Sequence, residues 1–396
     1  MLNPKRREPI PDSEMKRRQD LVISVLDKAG ADAVVMYNSG DMCGGVFRWA
    51  TDKTNYYPLT ALLCKEGIAF FQSGNNTPDD ADIPFVSIGD QLPIRVWSCP
   101  YLPATTFSRD RYGAAMVNFI KSRGFKKIAW GGLSYVSATL YRYLLKNLPD
   151  VEFIDLTEEL DDVRLVKSPW EIEQFQRCVD LHDKLIRFCE TTIRPDLTPH
   201  QLDNAIMSRA AELGAIEFNT QLIKCWRSDS DPIGDYEQLR KGDYIWVLIE
   251  VAANSGEWGE CARLFRLGEE PEQKWIDLSD KVIEIQHKIA ERCVPGAIPE
   301  DIFEYCKQLQ REAGMAEEPR FCIHGQSYDI VDLPLFVEGD RKPLKENMFF
   351  VIHPAYMGKP PAFDPPYFNY TDNYIVKSGG AVKMSHTPQK IITVSI

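Results

Sequence analysis

The sequence predicts an α/β fold built as two domains. The length of the chain and a change of pattern along it carry this prediction. At 396 residues the chain exceeds the ~250–300 residues beyond which one hydrophobic core stops growing. Short apolar runs alternate with helical patterns in the first part, which is typical of a sheet packed between helices. We therefore expect an α/β domain over residues 1–162 and a second domain of mixed α and β structure over residues 163–396.

Local signals predict the elements of the first domain. An apolar helical periodicity stops at Gly30, a residue that commonly ends helices. The turn Lys65-Glu66-Gly67 separates two β-rich runs and predicts a hairpin. In chain order we expect a helix over 14–29, strands over 33–37, 59–64 and 68–72, a helix over 109–121, a strand over 127–130, a helix over 136–146 and a strand over 151–156.

A long helix opens the second domain. Ser168 can accept a hydrogen bond from the first turn, Pro169 suits the first helical position, and Glu171 favours the positive end of the helix dipole. Apolar residues then recur at helical spacing as far as about Thr192. The expected apolar stripe is Ile172, Phe175, Val179, Leu185, Ile186 and Cys189.

The rest of the second domain contains an internal repeat at an offset of 100 residues. Pro199 and Gly214 bracket one helical pattern, and Pro299 and Gly314 bracket its counterpart. An apolar strand is expected after each helix, over 244–249 and 348–352. Two similar halves imply a pseudo-two-fold axis, and the cleft between such halves is a natural place for a site.

Composition excludes several classes of protein. The formal charge of −12, from 46 basic and 58 acidic residues, repels a polyanion, so we expect no nucleic-acid partner. No stretch is long and apolar enough to span a membrane, and the N-terminus is charged, so we expect a cytoplasmic protein with no membrane contact. The ten cysteines show no paired spacing, so reduced thiols are expected.

Reactive side chains concentrate in the second domain. Glu250 and His353 each come directly after an apolar strand, and Glu260, His324 and Asp372 lie in the segments between and beyond those strands. Carboxylates and imidazoles can move protons or hold a cation. We therefore expect the site of chemistry here.

A structural role is the alternative for each of these side chains. Glu250 and Asp372 could be solvated at a strand end and a turn, the two histidines could be satisfied core residues, and Glu260 could pair with Arg263. The remaining histidines are expected on polar helical or terminal faces, with structural roles: His182, His200, His287 and His386.

Several motifs of this chain resemble those of the creatinase, aminopeptidase P and prolidase family. The resemblance covers nearly the whole chain. It implies a pita-bread catalytic domain behind an N-terminal α/β domain, and it explains the repeat, because that catalytic domain has two similar halves. The motifs are Arg164-Leu165-Val166-Lys167-Ser168, Lys241-Gly242-Asp243, His324-Gly325, His353-Pro354 and Thr371-Asp372 before Tyr374-Ile375-Val376.

In the metallopeptidases of that family, two Asp, one His and two Glu residues hold two metal ions. The resemblance places the second Asp on Glu260, since Ala262-Arg263 stands where the family has Thr-Arg. The family His falls on His324 and the Glu of a Glu-Pro pair on His353. The last Glu falls on Thr371, so two of the five positions have lost a carboxylate.

The first Asp of the family has an unclear counterpart. Counting from Gly242-Asp243 lands on Leu248, whereas the nearest acid is Glu250. A family histidine that precedes this strand is missing from 227–236. Because a pair of dications needs bridging carboxylates to offset its charge, we expect neither a dinuclear centre nor any metal cofactor.

Creatinase and ectoine hydrolase are relatives that act on small molecules. The resemblance therefore implies a creatinase-like hydrolase that cleaves a C–N bond of a small polar molecule, such as an amidine, a guanidino compound or an amino-acid derivative. Glu250 and Glu260 would supply a nucleophile or base, and His324 and His353 would shuttle protons or polarise the leaving group. Two close carboxylates raise one pKa, which suits acid–base work.

Family members are often homodimers in which the N-terminal domain of one subunit covers the cleft of the other. The aromatic stretches 47–52 and 55–57, expected as a loop, could take part through Arg48, which could hold a carboxylate, and Trp49. An aromatic interface or the edge of a core is the alternative. Other candidate substrate-binding residues are Trp258, Thr371 and Asp372, with Trp226 as a further pocket residue.

Two other functions remain open at this stage. A mononuclear enzyme could hold one Zn²⁺ or Fe²⁺ with Glu250, Glu260, His324 and His353, as an Xaa-Pro aminopeptidase-like enzyme or a DMSP-type lyase of sulfonium compounds. A non-catalytic binding module is the second alternative, as in histone chaperones that kept the pita-bread fold.

Overall fold

The computed structural model describes residues 9–38, 45–53, 58–78, 81–100, 107–219, 222–320, 322–360 and 363–396. The chain separates into two compact units, Pro9–Arg164 and Leu165–Ile396. This break falls two residues beyond the boundary expected from the sequence.

The first unit is a mixed seven-stranded sheet with helices. The strand order is β4-β5-β3-β2-β1-β6-β7, in which β1, β2 and β3 are antiparallel neighbours and β6 runs parallel to both β1 and β7. Its elements are α1 (Asp12–Ala29), β1 (Ala33–Asn38), α2 (Gly45–Thr51), β2 (Leu59–Cys64), β3 (Gly67–Ser73), β4 (Val86–Ile88), β5 (Gln91–Cys99), α3 (Phe107–Arg123), β6 (Lys127–Gly131), a 3₁₀ turn (Leu133–Tyr135), α4 (Ala138–Asn147), β7 (Glu152–Asp155) and α5 (Thr157–Leu165).

Most elements of this unit are the predicted ones. Gly30 ends α1 with a left-handed φ of 64°, and β2 and β3 form the expected hairpin. The stretch 47–52 does not form the expected loop. Residues 45–51 form helix α2, and all of them are buried. Arg48 and Trp49 are each 1% exposed, and the guanidinium of Arg18 lies 5.6 Å from the Trp49 ring. Residues 55–57 lie outside the described segments.

The second unit contains two larger sheets, flanked by helices. The first sheet has the order β10-β9-β11-β12-β20, with β8 also pairing with β11, and the second has the order β14-β13-β15-β18-β19. The elements are α6 (Pro169–Thr192), α7 (Pro199–Glu212), β8 (Glu217–Phe218), β9 (Leu222–Trp226), β10 (Pro232–Ile233), β11 (Tyr244–Ala252), β12 (Trp258–Leu267), α8 (Gln273–Arg292), α9 (Pro299–Glu312), β13 (Ile323–Gly325), β14 (Asp332–Leu335), β15 (Phe349–Ile352), β16 (Ala355–Met357), β17 (Tyr367–Asn369), β18 (Asp372–Lys377), β19 (Gly380–Lys383) and β20 (Ile392–Val394).

Helix α6 starts as its sequence predicts. Ser168 Oγ accepts a hydrogen bond from the Glu171 N–H at 3.1 Å, and Glu171 Oε2 accepts one from the Ser168 N–H at 2.8 Å. This reciprocal capping satisfies two N–H groups that would otherwise have no partner at the helix end. The helix ends at Thr192, as expected.

The internal repeat is present in the structure. Helices α7 and α9 are both 14 residues long and begin at Pro199 and Pro299. Each half then supplies strands to its own sheet, except that the C-terminal strand β20 joins the first sheet beside β12. The two sheets touch where the Ala262 N–H donates to the Thr371 carbonyl at 3.2 Å. The functional residues therefore come from two structurally similar halves.

Two absences hold for the described segments. None of their helices combines the length and apolar character that crossing a lipid bilayer requires. The cysteines described there are all buried, and none forms a disulfide.

Candidate active site

A cavity of about 440 Å³ lies in the second unit. One wall comes from β9, β11 and β12, and the facing wall comes from residues in or near β13, β15 and β17. Five of the residues singled out from the sequence line this cavity: Glu250, Glu260, His324, His353 and Thr371.

Glu250 and Glu260 are direct partners in the antiparallel ladder of β11 and β12. The sequence predicts that Glu250 follows the end of its strand and that Glu260 lies in a loop. In the structure both residues lie inside strands, Glu250 in β11 and Glu260 in β12. Strand β11 continues because Val251 and Ala252 are fully buried. Opposite residues of a ladder project from the same face, so both carboxyl groups enter the cavity.

The surroundings of the two carboxyl groups raise the pKa of both. Burial and the negative charge of Glu250 raise the pKa of Glu260 well above its usual value. Burial also raises the pKa of Glu250, but a hydrogen bond from Asn219 Nδ2 to Glu250 Oε2 at 2.5 Å opposes this rise. Gln326 Nε2 donates to Glu260 Oε1 at 2.6 Å. Glu260 has the more strongly raised pKa, so it is the better suited of the two to hold a proton, and Glu250 is the better suited to be the carboxylate.

The two histidines come from the second sheet and its edge. His324 lies in β13, and His353 follows the last residue of β15; their rings are 5.2 Å apart between centroids. His324 Nε2 is 3.6 Å from Glu260 Oε1. Burial lowers the pKa of His324 to about 4, and burial together with His324 lowers the pKa of His353 well below its usual value. Both imidazoles are thus neutral at pH 7.

The donor groups suit one dication and not two. One ligand atom from each of Glu260, His324 and His353 lies within 4.8 Å of the others, and all three residues are buried. Two neutral imidazoles and one carboxylate, which Glu260 becomes when a cation displaces its proton, form a donor set that catalytic zinc sites use. Thr371 adds no charge, and its hydroxyl donates to Asn369 Oδ1 at 2.9 Å. A dinuclear centre would therefore lack the carboxylates that bridge and compensate two cations.

Asp372 and Trp258 require a correction, because the structure places both predicted substrate-binding residues away from the cavity lining. Asp372 is fully buried, and its Oδ1 accepts from Arg263 Nη2 at 2.7 Å. Successive strand residues face opposite sides, so Asp372 turns away from the side that Thr371 faces. For the same reason, Arg263 lies on the opposite face from Glu260 and does not pair with it. Trp258 is fully buried.

Three other residues with tentative sequence roles are also buried. Trp226 is a core residue that stacks on Tyr244, with 5.5 Å between ring centroids. Arg48 and Trp49 are packed within the first unit.

His182 is not on a polar face of its helix, in contrast to the sequence prediction. Its side chain is 1% exposed, and Nδ1 lies 2.8 Å from the Cys178 carbonyl. A Cβ added to Gly259 would lie 3.1 Å from both the Cys178 Sγ and the His182 ring. The other three histidines of this group are exposed, as expected: His200, His287 and His386.

Sequence reasoning missed several cavity residues, and two of them are cations, Lys224 and Arg320. Lys224 is the single charged residue of β9, and alternation in that strand could have flagged it. Arg320 lies outside any regular element and gives no comparable signal. The missed uncharged residues include Asn219, Trp246 and Tyr367.

Two similar halves that share one cavity, with carboxyl groups on a hairpin of the first half and imidazoles from the second, have the architecture of the pita-bread fold. The pattern of metallopeptidase family M24 matches residues 173–387, which is more than half of the chain. The chain belongs to this family.

Curated relatives and solved structures agree with this family and fold. The Xaa-Pro dipeptidase of Pyrococcus furiosus is 21% identical over 249 residues, covering 61% of this chain and 69% of the relative. The X-Pro aminopeptidase of Thermotoga maritima has a TM-score of 0.79 at 16% identity, covering 95% of this chain and 99% of that one. The prolidase of Pyrococcus horikoshii has a TM-score of 0.74 at 16% identity, covering 95% and 100%. The expected two-domain α/β architecture with a pita-bread unit is confirmed.

Proposed function

We propose that this protein is a hydrolase that cleaves a C–N bond of a small polar molecule without a dinuclear metal centre. The observation that carries the proposal is the direct pairing of Glu250 with Glu260 in one cavity. In the proposed reaction Glu250 is the carboxylate, and Glu260, which has the more strongly raised pKa, is the carboxylic acid. Hydrolysis needs a base for the attacking water and an acid for the departing nitrogen. The pair supplies both.

Each group has a defined role in this reaction. Glu250 takes a proton from water as its oxygen bonds to the substrate carbon, and Glu260 gives its proton to the nitrogen as the C–N bond breaks. The proton on Glu250 then passes to Glu260 and restores the starting state. In a substrate with a carbonyl group, the neutral ring of His353 can donate a hydrogen bond to the oxygen that gains negative charge in the transition state. The neutral ring of His324 has its hydrogen on Nδ1, 3.0 Å from the Gly325 carbonyl oxygen, so its Nε2 can only accept.

The dimensions of the cavity support a small substrate. A volume of about 440 Å³ is near the lower end of ordinary ligand sites. The walls combine apolar side chains such as Trp246 and Leu248 with the polar groups described above. Amidines, guanidino acids and amino-acid derivatives, including Xaa-Pro dipeptides, have the size and polarity that suit it.

A screen of these compounds by mass spectrometry tests the proposal. Glu250→Gln and Glu260→Gln should each lower kcat at least ~100-fold, because acid–base groups contribute about 10² to 10⁴ in rate. Glu257→Gln is the matched control, since Glu257 is a buried carboxyl of the same hairpin that does not line the cavity. Hydrolysis that persists in both active-site variants would show that the assignment is wrong. A binding module would hydrolyse none of the compounds.

A second candidate is a mononuclear metal-dependent enzyme of the Xaa-Pro peptidase type. The convergence of Glu260, His324 and His353 within 4.8 Å favours it. A divalent cation bound there would supply Lewis-acid activation of a substrate oxygen or a water molecule. Glu250, beside this trio, would remain the proton acceptor. About one Zn²⁺ or Fe²⁺ per chain by elemental analysis, lost in His353→Ala, would establish it; metal-free protein with full activity would exclude it.

A further inference from the structure

We propose that Arg95 and Arg123 form a binding site for phosphate esters in a cavity of the first unit. This cavity has a volume of about 620 Å³ and is lined by residues of β5, of α3 and of the segment before β4. It belongs to Pro9–Arg164, whereas the residues of the candidate active site belong to Leu165–Ile396. The inference therefore goes beyond the proposed hydrolase function and does not depend on it.

The strand and the helix each present one face to this cavity. Arg95 and Trp97 are alternate residues of β5, so their side chains project from the same side of the strand. Arg123 is the last residue of α3. The other lining residues of α3 follow helical spacing, which places them on one side of the helix: Ala115, Asn118, Phe119 and Ser122.

Arg95 is a partly buried cation. It makes no hydrogen bond and no ion pair with any residue that the structure describes. Its guanidinium carbon lies 4.5 Å from the centre of the Phe119 ring, a contact that holds the group but uses none of its N–H donors. Burial and the positive charge of Arg123 lower the pKa of Arg95. Because a guanidinium nevertheless stays charged, its donors can bind an anion.

Arg123 contacts the same aromatic ring. Its guanidinium carbon lies 5.4 Å from the centre of the Phe119 ring and 5.6 Å from that of Phe85. Its Nη1 pairs with Glu66 at 2.9 Å, but both side chains are partly exposed, and pairs of this kind contribute little to stability. Two guanidinium groups around one ring repel each other, and an anion bound to both would remove this repulsion.

Two guanidinium groups suit a phosphate better than a carboxylate. A carboxylate has its oxygens in one plane, and the fork of a single guanidinium satisfies both of them. A phosphate monoester carries about two negative charges at neutral pH, and its three acceptor oxygens point in different directions. It can therefore accept hydrogen bonds from both arginines at once.

The rest of the lining indicates what the phosphate is attached to. Trp97, Ala115 and Phe119 give the cavity an apolar part, and its volume exceeds what a phosphate ion fills. An apolar or aromatic ester group would occupy the remaining space. Asp82 is an acidic residue of the lining, and its negative charge opposes the lowering of the pKa of Arg95. This carboxylate would also repel a phosphate, so its removal gives a test in the opposite direction.

Titration calorimetry with phenyl phosphate, benzoate and inorganic phosphate tests the site. Phenyl phosphate should bind the unmutated protein about tenfold or more tightly than either benzoate, which lacks the phosphate, or inorganic phosphate, which lacks the ring. Arg95→Gln and Arg123→Gln should each weaken phenyl phosphate about tenfold. Asp82→Asn should strengthen it about twofold, because one repulsive charge is lost. Arg142→Gln changes an exposed arginine of α4 outside the lining and should leave the affinity unchanged.

Equal affinities for phenyl phosphate and benzoate, no measurable binding of phenyl phosphate at millimolar concentration, or unchanged binding in both arginine variants would overturn the site. Inorganic phosphate that binds as tightly as phenyl phosphate would overturn the assignment to esters. If phenyl phosphate bound in the second unit instead, Lys224→Met would weaken it and the arginine variants would not. Thermal unfolding shows whether each variant folds. If Arg95→Gln does not, Arg123→Gln decides the test, because Arg123 is partly exposed.

Discussion

Glu250 and Glu260 stand opposite each other on antiparallel strands, joined by a turn of only five residues, Ala253 to Glu257. A shift of one residue in this register would turn one of the two carboxyl groups to the opposite face of the sheet. The short turn and the nine paired positions of the hairpin hold the register. The acid–base pair is thus a property of one local hairpin.

Close packing beneath this hairpin leads to a first prediction. Gly259→Ala would place a Cβ 3.1 Å from Cys178 Sγ and 3.2 Å from Asn373 Oδ1. We expect a loss of about 1–3 kcal/mol in the free energy of unfolding, since overpacked cores lose this much. Gly234→Ala is the control, because nothing lies within 4 Å of its added Cβ. Urea denaturation measures both variants, and equal stabilities would contradict the packing described.

Glu318 gives the protein a dependence of stability on pH. Burial raises the pKa of this carboxyl to about 7 in the folded state, above its unfolded value near 4.5. Between these values the unfolded chain releases a proton that the folded protein keeps, so stability falls as pH rises, by up to about 3 kcal/mol. Glu318→Gln should flatten this part of the curve. Glu317→Gln changes an exposed neighbour and should leave the curve unchanged. Equal slopes of stability against pH for the unmutated protein and both variants would argue against the effect.

The ion pair of Arg263 and Asp372 should be essential for stability. Both side chains are fully buried. Asp372→Asn leaves the guanidinium without its counter-charge, which costs about 3–5 kcal/mol in comparable buried pairs. Arg341→Met, which breaks the exposed pair with Glu300, should cost under about 1 kcal/mol. Guanidinium chloride denaturation compares them. If Asp372 bound substrate instead, the Asp372→Asn variant would keep its stability and lose affinity for the compounds of the screen.

Metal stoichiometry provides the fourth prediction. The double variant His353→Glu and Thr371→Glu adds carboxylates at the two positions where this chain lacks them, so it should bind two Mn²⁺ ions per chain. The unmutated protein should bind no more than one, because its cavity holds too few anions for a second. Titration calorimetry and elemental analysis after gel filtration give the count. Two ions bound by the unmutated protein would refute the charge argument.

Short-range signals predicted the helices and strands well. The start of α6 depends on Ser168, Pro169 and Glu171, which are adjacent in the chain, so its capping was predictable. The repeat at an offset of 100 residues predicted two equal helices and two similar halves. Helix α2 was missed because its burial, not its local pattern, decides its structure.

The site was predictable only in part. Glu250, Glu260, His324 and His353 were found because each stands out in an apolar or glycine-flanked context. Asp372 was misplaced because its partner Arg263 is more than a hundred residues away, and the pairing of these two residues cannot be read from one segment. Lys224 and Arg320 were missed for the same reason, since separate strands and loops assemble the cavity they share.

The guanidinium of Arg263 has a consequence for how ligands enter. It bonds Asp372 and the carbonyls of Ala262, Thr371, Thr387 and Pro388, and so ties together chain segments from both halves. These segments can move apart only if several hydrogen bonds break at once. The cavity lining also includes two exposed apolar side chains, Leu222 and Val331, which are 47% and 43% exposed. We therefore expect these two exposed side chains to adjust to ligands of different shape, while the strands that carry the reacting groups keep their positions.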